Sequence, residues 1–323
     1  MYRKNGLTAL AVLCVVCLLL SSCRNGELAR TDRFVLGTVC FVSLPAGTDD
    51  AGIWQTLQQL DRTLSAHDPD SELGYLNANA GAGWVTVSEE LYDAIVFSIK
   101  MAEITRGAFN PAIGALTALW DIEGENPAVP TADSISEALE HIDWRQIEIG
   151  EGNTVRINDP GLRLDLGGMG KGLAADIVAG LLRENGIKSA LLNFGGNIMC
   201  IGSRPDGKDF QIGIQIPFAQ RNSYRQVVQA SDLSVVTSGK YEKYFTDETG
   251  KQWHHIIDPQ TGYPVETPLA SVTVTGPSSA VCDALSTALF VLGEADADRI
   301  LQSFTGYGAL FIYLDGSCNS YGN

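Results

Sequence analysis

Basic residues are scarce in this chain. Its 323 residues hold 22 Lys and Arg against 38 Asp and Glu, a formal net charge of −16. Two of the basic residues, Arg3 and Lys4, precede Cys23 and no acid does. Residues 23–323 therefore carry 20 basic against 38 acidic residues, a formal charge of −18. Such a surface argues against nucleic acid and anionic lipid as charge-matched partners. Long apolar runs are missing beyond Leu20, which excludes a later membrane-spanning helix. Histidine is limited to four residues. Beyond Cys23 the remaining cysteines, Cys40, Cys200, Cys282 and Cys318, form no CxxC pair and lack metal-ligand spacing. Each lies in or beside an apolar run, which predicts buried free thiols and leaves one disulfide open.

The apolar run that does exist, Leu7 to Leu20, follows Arg3 and Lys4 and leads into Leu20-Ser21-Ser22-Cys23. This pattern predicts a secretory signal over residues 1–22 ending in a lipobox, with Cys23 as the lipidated first residue of the mature chain. An ordinary membrane anchor is the competing reading, and the run is short for it. Multiple acyl chains anchor a protein firmly. The expected location is a bacterial cell envelope, lipid-anchored to a membrane and facing the periplasm or exterior. Residues 23–32 read as a polar tether and 33–323 as the folded domain.

Three stretches carry the chemistry. Leu164 to Asp176, LDLGGMGKGLAAD, reads as a short apolar strand ending in an acid, a glycine-crowded turn, and a helix beginning at Lys171. Glycine admits positive φ and close approach of a ligand to the backbone. Helix N-termini attract anions, and Lys171 adds a mobile cation. The spacing fits neither a Walker loop nor a dinucleotide fingerprint, and a plain strand-to-helix connection explains the same residues. Ser279 to Gly293 reads as a helix apolar nearly all round, with Asp283, Ser286 and Thr287 one turn apart. A buried carboxylate is costly unless paired or metal-bound. Carboxylate plus hydroxyl without histidine or thiol suits Mg²⁺, although a cluster that caps or crosslinks segments has the same spacing. Trp253 to Pro264, WHHIIDPQTGYP, sets His254 and His255 before two turns. Histidine is the side chain most easily poised as a base. A surface position or packing for His254, and a core histidine satisfied by a carbonyl for His255, are the alternatives. Upstream, Thr237 to Tyr241 reads as a hydroxyl-glycine turn after the apolar run Leu233 to Val236.

LDLGGMGKG, NFGGN (Asn193 to Asn197), TSGKY (Thr237 to Tyr241), HHIIDPQTG and DALST stand in this order and spacing. Together with FVLGT (Phe34 to Thr38), HDPDSELGYLN (His67 to Asn77) and GAFNPAIGALTALW (Gly107 to Trp120), they resemble the ApbE family of FAD:protein FMN transferases of the bacterial envelope. The resemblance implies an FAD-binding catalytic domain over 33–323 with a T-fold-like α/β core. It implies an Mg²⁺ site on the Gly168 carbonyl, Asp283 and Thr287, with Ser286 as a further candidate. Flavin-nucleotide contacts would fall on Leu36, His67, Ala108, Phe109, Asn110, Asp165, Lys171 and Ile257. His255 would be the base, with Lys171 and Asp283 the other catalytic residues. Partners would be FAD as substrate and an envelope flavoprotein, such as a redox-pump subunit, as acceptor through a Thr or Ser hydroxyl, with AMP released. Three positions depart from the commoner family pattern: His67 for tyrosine, Asn110 for aspartate and Leu36 for methionine. An FAD pyrophosphatase giving FMN and AMP, or a flavin-binding lipoprotein without catalysis, are the rival functions.

Local patterns place the elements. A strand is expected over Phe34 to Leu44, then a helix with Ile53, Leu57, Leu60 and Leu64 on one stripe. Ser88 reads as an N-cap for a helix facing in through Leu91, Ile95, Ile99 and Ala102. Arg145 to Ile149 and Thr154 to Asn158 read as a hairpin. Lys171 to Asn185 reads as a helix stopped by Gly186, and Phe210 to Ile216 as a half-buried strand. Hairpins mixed with helices predict an α+β fold.

Overall fold

The structure is a computed structural model, and it describes residues 27–220 and 223–322. The expected signal and Cys23 lie outside the described residues. Strands β1 (Leu28–Val35) and β2 (Thr38–Pro45) open the fold as a hairpin. Helices α1 (Ala51–Leu64) and α2 (Glu72–Ala78), strand β3 (Trp84–Thr86) and helix α3 (Glu89–Thr105) follow. Next come α4 (Gly114–Trp120), α5 (Ala132–Leu139), β4 (Ile147–Ile149) and β5 (Thr154–Ile157). Helix α6 (Gly167–Glu184) leads into β6 (Ala190–Phe194), β7 (Asn197–Ile201), β8 (Phe210–Gln215) and β9 (Tyr224–Ala230). Strands β10 (Ser234–Gly239), β11 (Tyr244–Thr246), β12 (Gln252–His254) and β13 (Leu269–Gly276) precede α7 (Ser279–Leu292) and α8 (Ala297–Leu301). Strands β14 (Gly308–Tyr313) and β15 (Cys318–Gly322) close the chain.

Eight strands form one sheet in the order β1-β2-β6-β7-β10-β13-β14-β15, antiparallel at every ladder. This is the α+β class expected from the mix of hairpins and helices. Helices α6 and α7 pack on each other, and α7 also lies on β10 and β13. Val272 and Val274 of β13 and Leu285, Leu289 and Phe290 of α7 are buried in the same core. A smaller core joins Leu116, Trp120, Ile135, Ala138 and Ile257.

Several expectations need correction. The span Phe34 to Leu44 is two strands, because Leu36 (φ +56°) and Gly37 (φ +66°) make a two-residue turn of the kind that suits a hairpin's twist. Leucine gives no local warning of that. The tether ends earlier than residue 32, since Leu28 to Asp32 already pair with Phe41 to Pro45. The glycine stretch is not a turn after a strand. Leu164 is held instead by Asn77, whose amide donates to the Leu164 carbonyl and accepts from its N–H at 2.9 and 2.7 Å. Helix α6 then starts at Gly167, one turn before Lys171. Thr237, Ser238 and Gly239 belong to strand β10 rather than to a turn. Ser88 does cap α3, accepting from the Leu91 N–H. Among the described residues all four cysteines are free, and Cys318 is partly exposed rather than buried. No described helix is long and apolar enough to cross a membrane.

Candidate active site

The site is built where α6 crosses α7. None of Gly167, Gly168, Gly170 or Gly172 has positive φ, so no turn requires them; at Gly168 and Gly172 the glycine serves contact, while a Cβ on Gly170 would meet open space. A Cβ on Gly172 would stand 2.3 Å from the Ser279 carbonyl oxygen and 2.8 Å from the Ala280 Cα. The two backbones touch there, and α7 cannot back away. Asp176, one turn further along α6, caps it by accepting from the Ser279 and Ala280 N–H groups and the Ser278 hydroxyl at 2.6–2.9 Å. An acid at a helix N-terminus is also favoured by the dipole. Gly172→Ala should therefore destabilise the fold by about 3 kcal/mol, near the top of the usual range for overpacking. A urea midpoint equal to wild type would show that the crossing is not this tight.

That crossing delivers Asp283. Its Oδ2 accepts from the Gly172 N–H at 3.0 Å, the donor that a regular helix aims at the Gly168 carbonyl. The carboxylate and that carbonyl therefore converge on one N–H. Thr287 Oγ1 lies 3.8 Å from where a Gly168 Cβ would stand, and the Phe109 ring lies 3.2 Å from the same point. Phe109 and Thr287 thus both stand against the first turn of α6. Burial raises the Asp283 pKa; the Lys171 charge, the Gly172 N–H and the Asn197 amide oppose it, and Asp176 adds to it. Asn197 Nδ2 is itself buried and closes no hydrogen bond of normal geometry. Among the described residues no three His, Cys, Asp or Glu cluster to hold a metal, so a cation here would need neutral oxygens. One carboxylate, one hydroxyl and one helix-end carbonyl fit a hard divalent cation. Ser286 is fully buried, and its hydroxyl donates to the Asp283 carbonyl at 2.9 Å.

Lys171 reaches back along α6, its Nζ 3.5 Å from the Gly167 carbonyl. Its charge is felt at Asp283, His255 and Cys40. His255 Nδ1 lies 3.2 Å from the Lys243 carbonyl. A carbonyl only accepts, so Nδ1 carries the proton and Nε2 keeps its lone pair. Desolvation, then the Lys243 charge, push the His255 pKa down to about 3; the Lys243 carbonyl opposes them and Lys171 and His254 contribute further. The ring is a neutral acceptor. The core histidine is His254, buried with Nε2 on the Val265 carbonyl at 3.0 Å and its ring edge-on to Phe290. His254 therefore packs, as its alternative had it, and His255 has its carbonyl partner while keeping Nε2 as an acceptor.

The remaining expected contacts are not gathered at one place. Asp165 accepts from the Gly167 N–H at 2.8 Å and from the Thr117 hydroxyl at 2.7 Å. Thr117 and Leu164 line a cleft of about 380 Å³ with His67, Pro69, Asn77 and Arg163, and His67 is exposed on its rim. Ala108 is buried beside Phe109. Asn110 is committed to the backbone: its amide donates to the Ile142 carbonyl and accepts from the Ala112 N–H, both at 2.9 Å. A carboxylate could not make the first bond, which gives asparagine a structural use there. Ile257 is buried in the smaller core, and Leu36 sits in the β1–β2 turn, packed on the main core. Asn77, Asp176, Asn197 and Ser238 are site residues that the sequence reading left without a role.

The sequence model of the ApbE family matches residues 36–311. A protein of Treponema pallidum (strain Nichols) named FAD:protein FMN transferase is 38% identical over 327 residues, covering 93% of this chain and 90% of that protein. The crystal structure of the ApbE protein of Thermotoga maritima superposes with a TM-score of 0.82 at 30% identity, covering 91% of this chain and 96% of that one. The flavin transferase ApbE of Vibrio cholerae gives 0.81 at 27% identity, over 92% and 97% of the two chains. With the family match covering most of its length and a relative of this similarity, the chain belongs to the ApbE family.

Proposed function

We propose that this chain transfers FMN from FAD to a Thr or Ser hydroxyl of an envelope protein, forming a phosphoester and releasing AMP. The observation that carries this reading is the convergence of buried Asp283, the Gly168 carbonyl and Thr287 on the lysine-bearing N-terminus of α6. The relatives' name, FAD:protein FMN transferase, supports the same reaction. The cleft between His67 and Thr117 would take the flavin end, with Asp165 and Gly167 leading from it to the phosphates.

Gly168, Asp283 and Thr287 would hold Mg²⁺. When bound, the cation supplies neutralisation of the pyrophosphate oxygens and of the leaving phosphate. Phosphoryl transfer depends mainly on such charge compensation and on in-line positioning. Lys171 and the α6 N-terminus add fixed positive potential at the phosphoryl oxygens. The acceptor hydroxyl attacks the FMN phosphorus, the bond to the AMP oxygen breaks, and His255 Nε2 takes the hydroxyl proton.

Incubation with FAD, Mg²⁺ and an acceptor protein tests this reading. Covalent flavin on the acceptor and an equal amount of AMP are expected. Free FMN with AMP and an unmodified acceptor would instead favour the pyrophosphatase reading, and intact FAD the binding protein. We also infer that Cys23 carries the lipid anchor, from Leu20-Ser21-Ser22-Cys23 after the apolar run. Cys23→Ser should yield a soluble or unprocessed protein. A variant still cleaved before residue 23 and lipidated there would refute that assignment.

A further inference from the structure

Thr287 is a neutral ligand candidate, and a hydroxyl serves a cation only if its own proton points elsewhere. The hydroxyls around it decide where that proton goes. Ser286 has one proton and gives it to the Asp283 carbonyl at 2.9 Å. Toward Ser238 Oγ, 2.8 Å away, Ser286 must therefore accept. The single Ser238 proton is used in that bond. Toward Thr287 Oγ1, 3.3 Å away, Ser238 can then only accept. The Thr287 proton is drawn to Ser238, and its lone pairs are left for the side facing Gly168. Each step follows from one proton per hydroxyl. The chain has a fixed end, because a backbone carbonyl cannot donate.

We propose that Ser238 is a positioning residue for the cation site: it orders the proton of Thr287 so that the hydroxyl presents a lone pair to the metal. This rests on the metal site proposed above. Strand β10 holds Ser238 opposite Val272 of β13, and α7 packs across both strands. The hydroxyl is therefore carried by the sheet rather than by a mobile loop. Ser286, a candidate ligand from its spacing, becomes the anchor of the chain instead. Second-layer partners of this kind are worth about 10-fold in metal affinity at the lower end of their range.

The test reads Mn²⁺ binding by electron paramagnetic resonance on the protein without FAD. Ser238→Ala should weaken binding about 10-fold, and Ser238→Thr, which keeps the hydroxyl, should stay close to wild type. In a Thr287→Ala background the Ser238→Ala change should add nothing, since the group it orients is gone. Equal affinity in folded Ser238→Ala, or the same loss with and without Thr287, would overturn the proposal. Absence of Mn²⁺ binding by the wild type would overturn the metal site itself. Binding lost on Asp283→Asn but untouched by Ser238→Ala would leave that site standing without this residue.

Discussion

Asp283→Asn should leave a folded protein that turns FAD over at least about 10³-fold more slowly, the scale of losing several kcal/mol of charge stabilisation by a metal. The same variant should melt higher than wild type when no metal is present. Burial holds the Asp283 pKa above its ordinary value of 3.8. Folding then takes up a proton at this site, and stability falls as pH rises from 3.8 to the raised value. Above that window the ionised carboxylate is a constant cost to the metal-free fold. Asparagine has the same shape, can still accept from the Gly172 N–H and carries no charge. Removing about 1 kcal/mol of that cost would raise Tm by roughly 2–4 °C. Scanning calorimetry in chelator and in Mg²⁺ checks both halves. Wild type should gain Tm on adding Mg²⁺, and the variant should not. Unchanged Mg²⁺ affinity in folded Asp283→Asn would remove Asp283 from the cation site, and a lower Tm in chelator would show that the carboxylate stabilises the fold.

The residues that sequence reading placed well are those whose signal is local. Helix α7 follows from an apolar stretch ended by Gly293, and it runs from Ser279 to Leu292. The acid and hydroxyls it carries one turn apart do meet at the site. The glycines of α6 were harder to interpret, because glycine permits a turn and also permits contact. Only the fold brings the Ser279 carbonyl against Gly172. The role of Asp176 was hidden for the same reason, since Ser278, the residue just before the helix it caps, lies 102 residues later. Ser238 was visible within TSGKY, but its partners Ser286 and Thr287 lie 48 and 49 residues away on another element. Asn110 stands where the resemblance implies an aspartate. Its donor bond to the Ile142 carbonyl shows why an amide can be preferred, and that bond is not legible without the loop at Ile142.

His255→Asn should lower kcat by roughly 10²–10⁴-fold, the usual contribution of a positioned general base, while FAD affinity stays near wild type. Asparagine keeps an N–H donor close to the Nδ1 position, so the bond to the Lys243 carbonyl need not be lost. It has no nitrogen lone pair to take the acceptor's proton. The pH profile separates this role from simple packing. With a pKa pushed down to about 3, His255 is neutral across the physiological range. The acid limb of kcat/KM at saturating Mg²⁺, which reports the free enzyme, should lie well below the ordinary histidine value of 6.5. Lys243 is the largest charge depressing that pKa, and it pairs with Glu123. Lys243→Gln removes the charge and should move the acid limb upward toward 6.5. The stability profile should follow the same sign. The depressed pKa values of His254, about 4, and His255, about 3, mean that folding releases protons. Their contribution is complete above pH 6.5 and is lost as pH falls from there toward 3. A wild-type acid limb already at 6.5 and unmoved by Lys243→Gln would take His255 out of the proton transfer. The acceptor's proton would then have to leave by another group or by water.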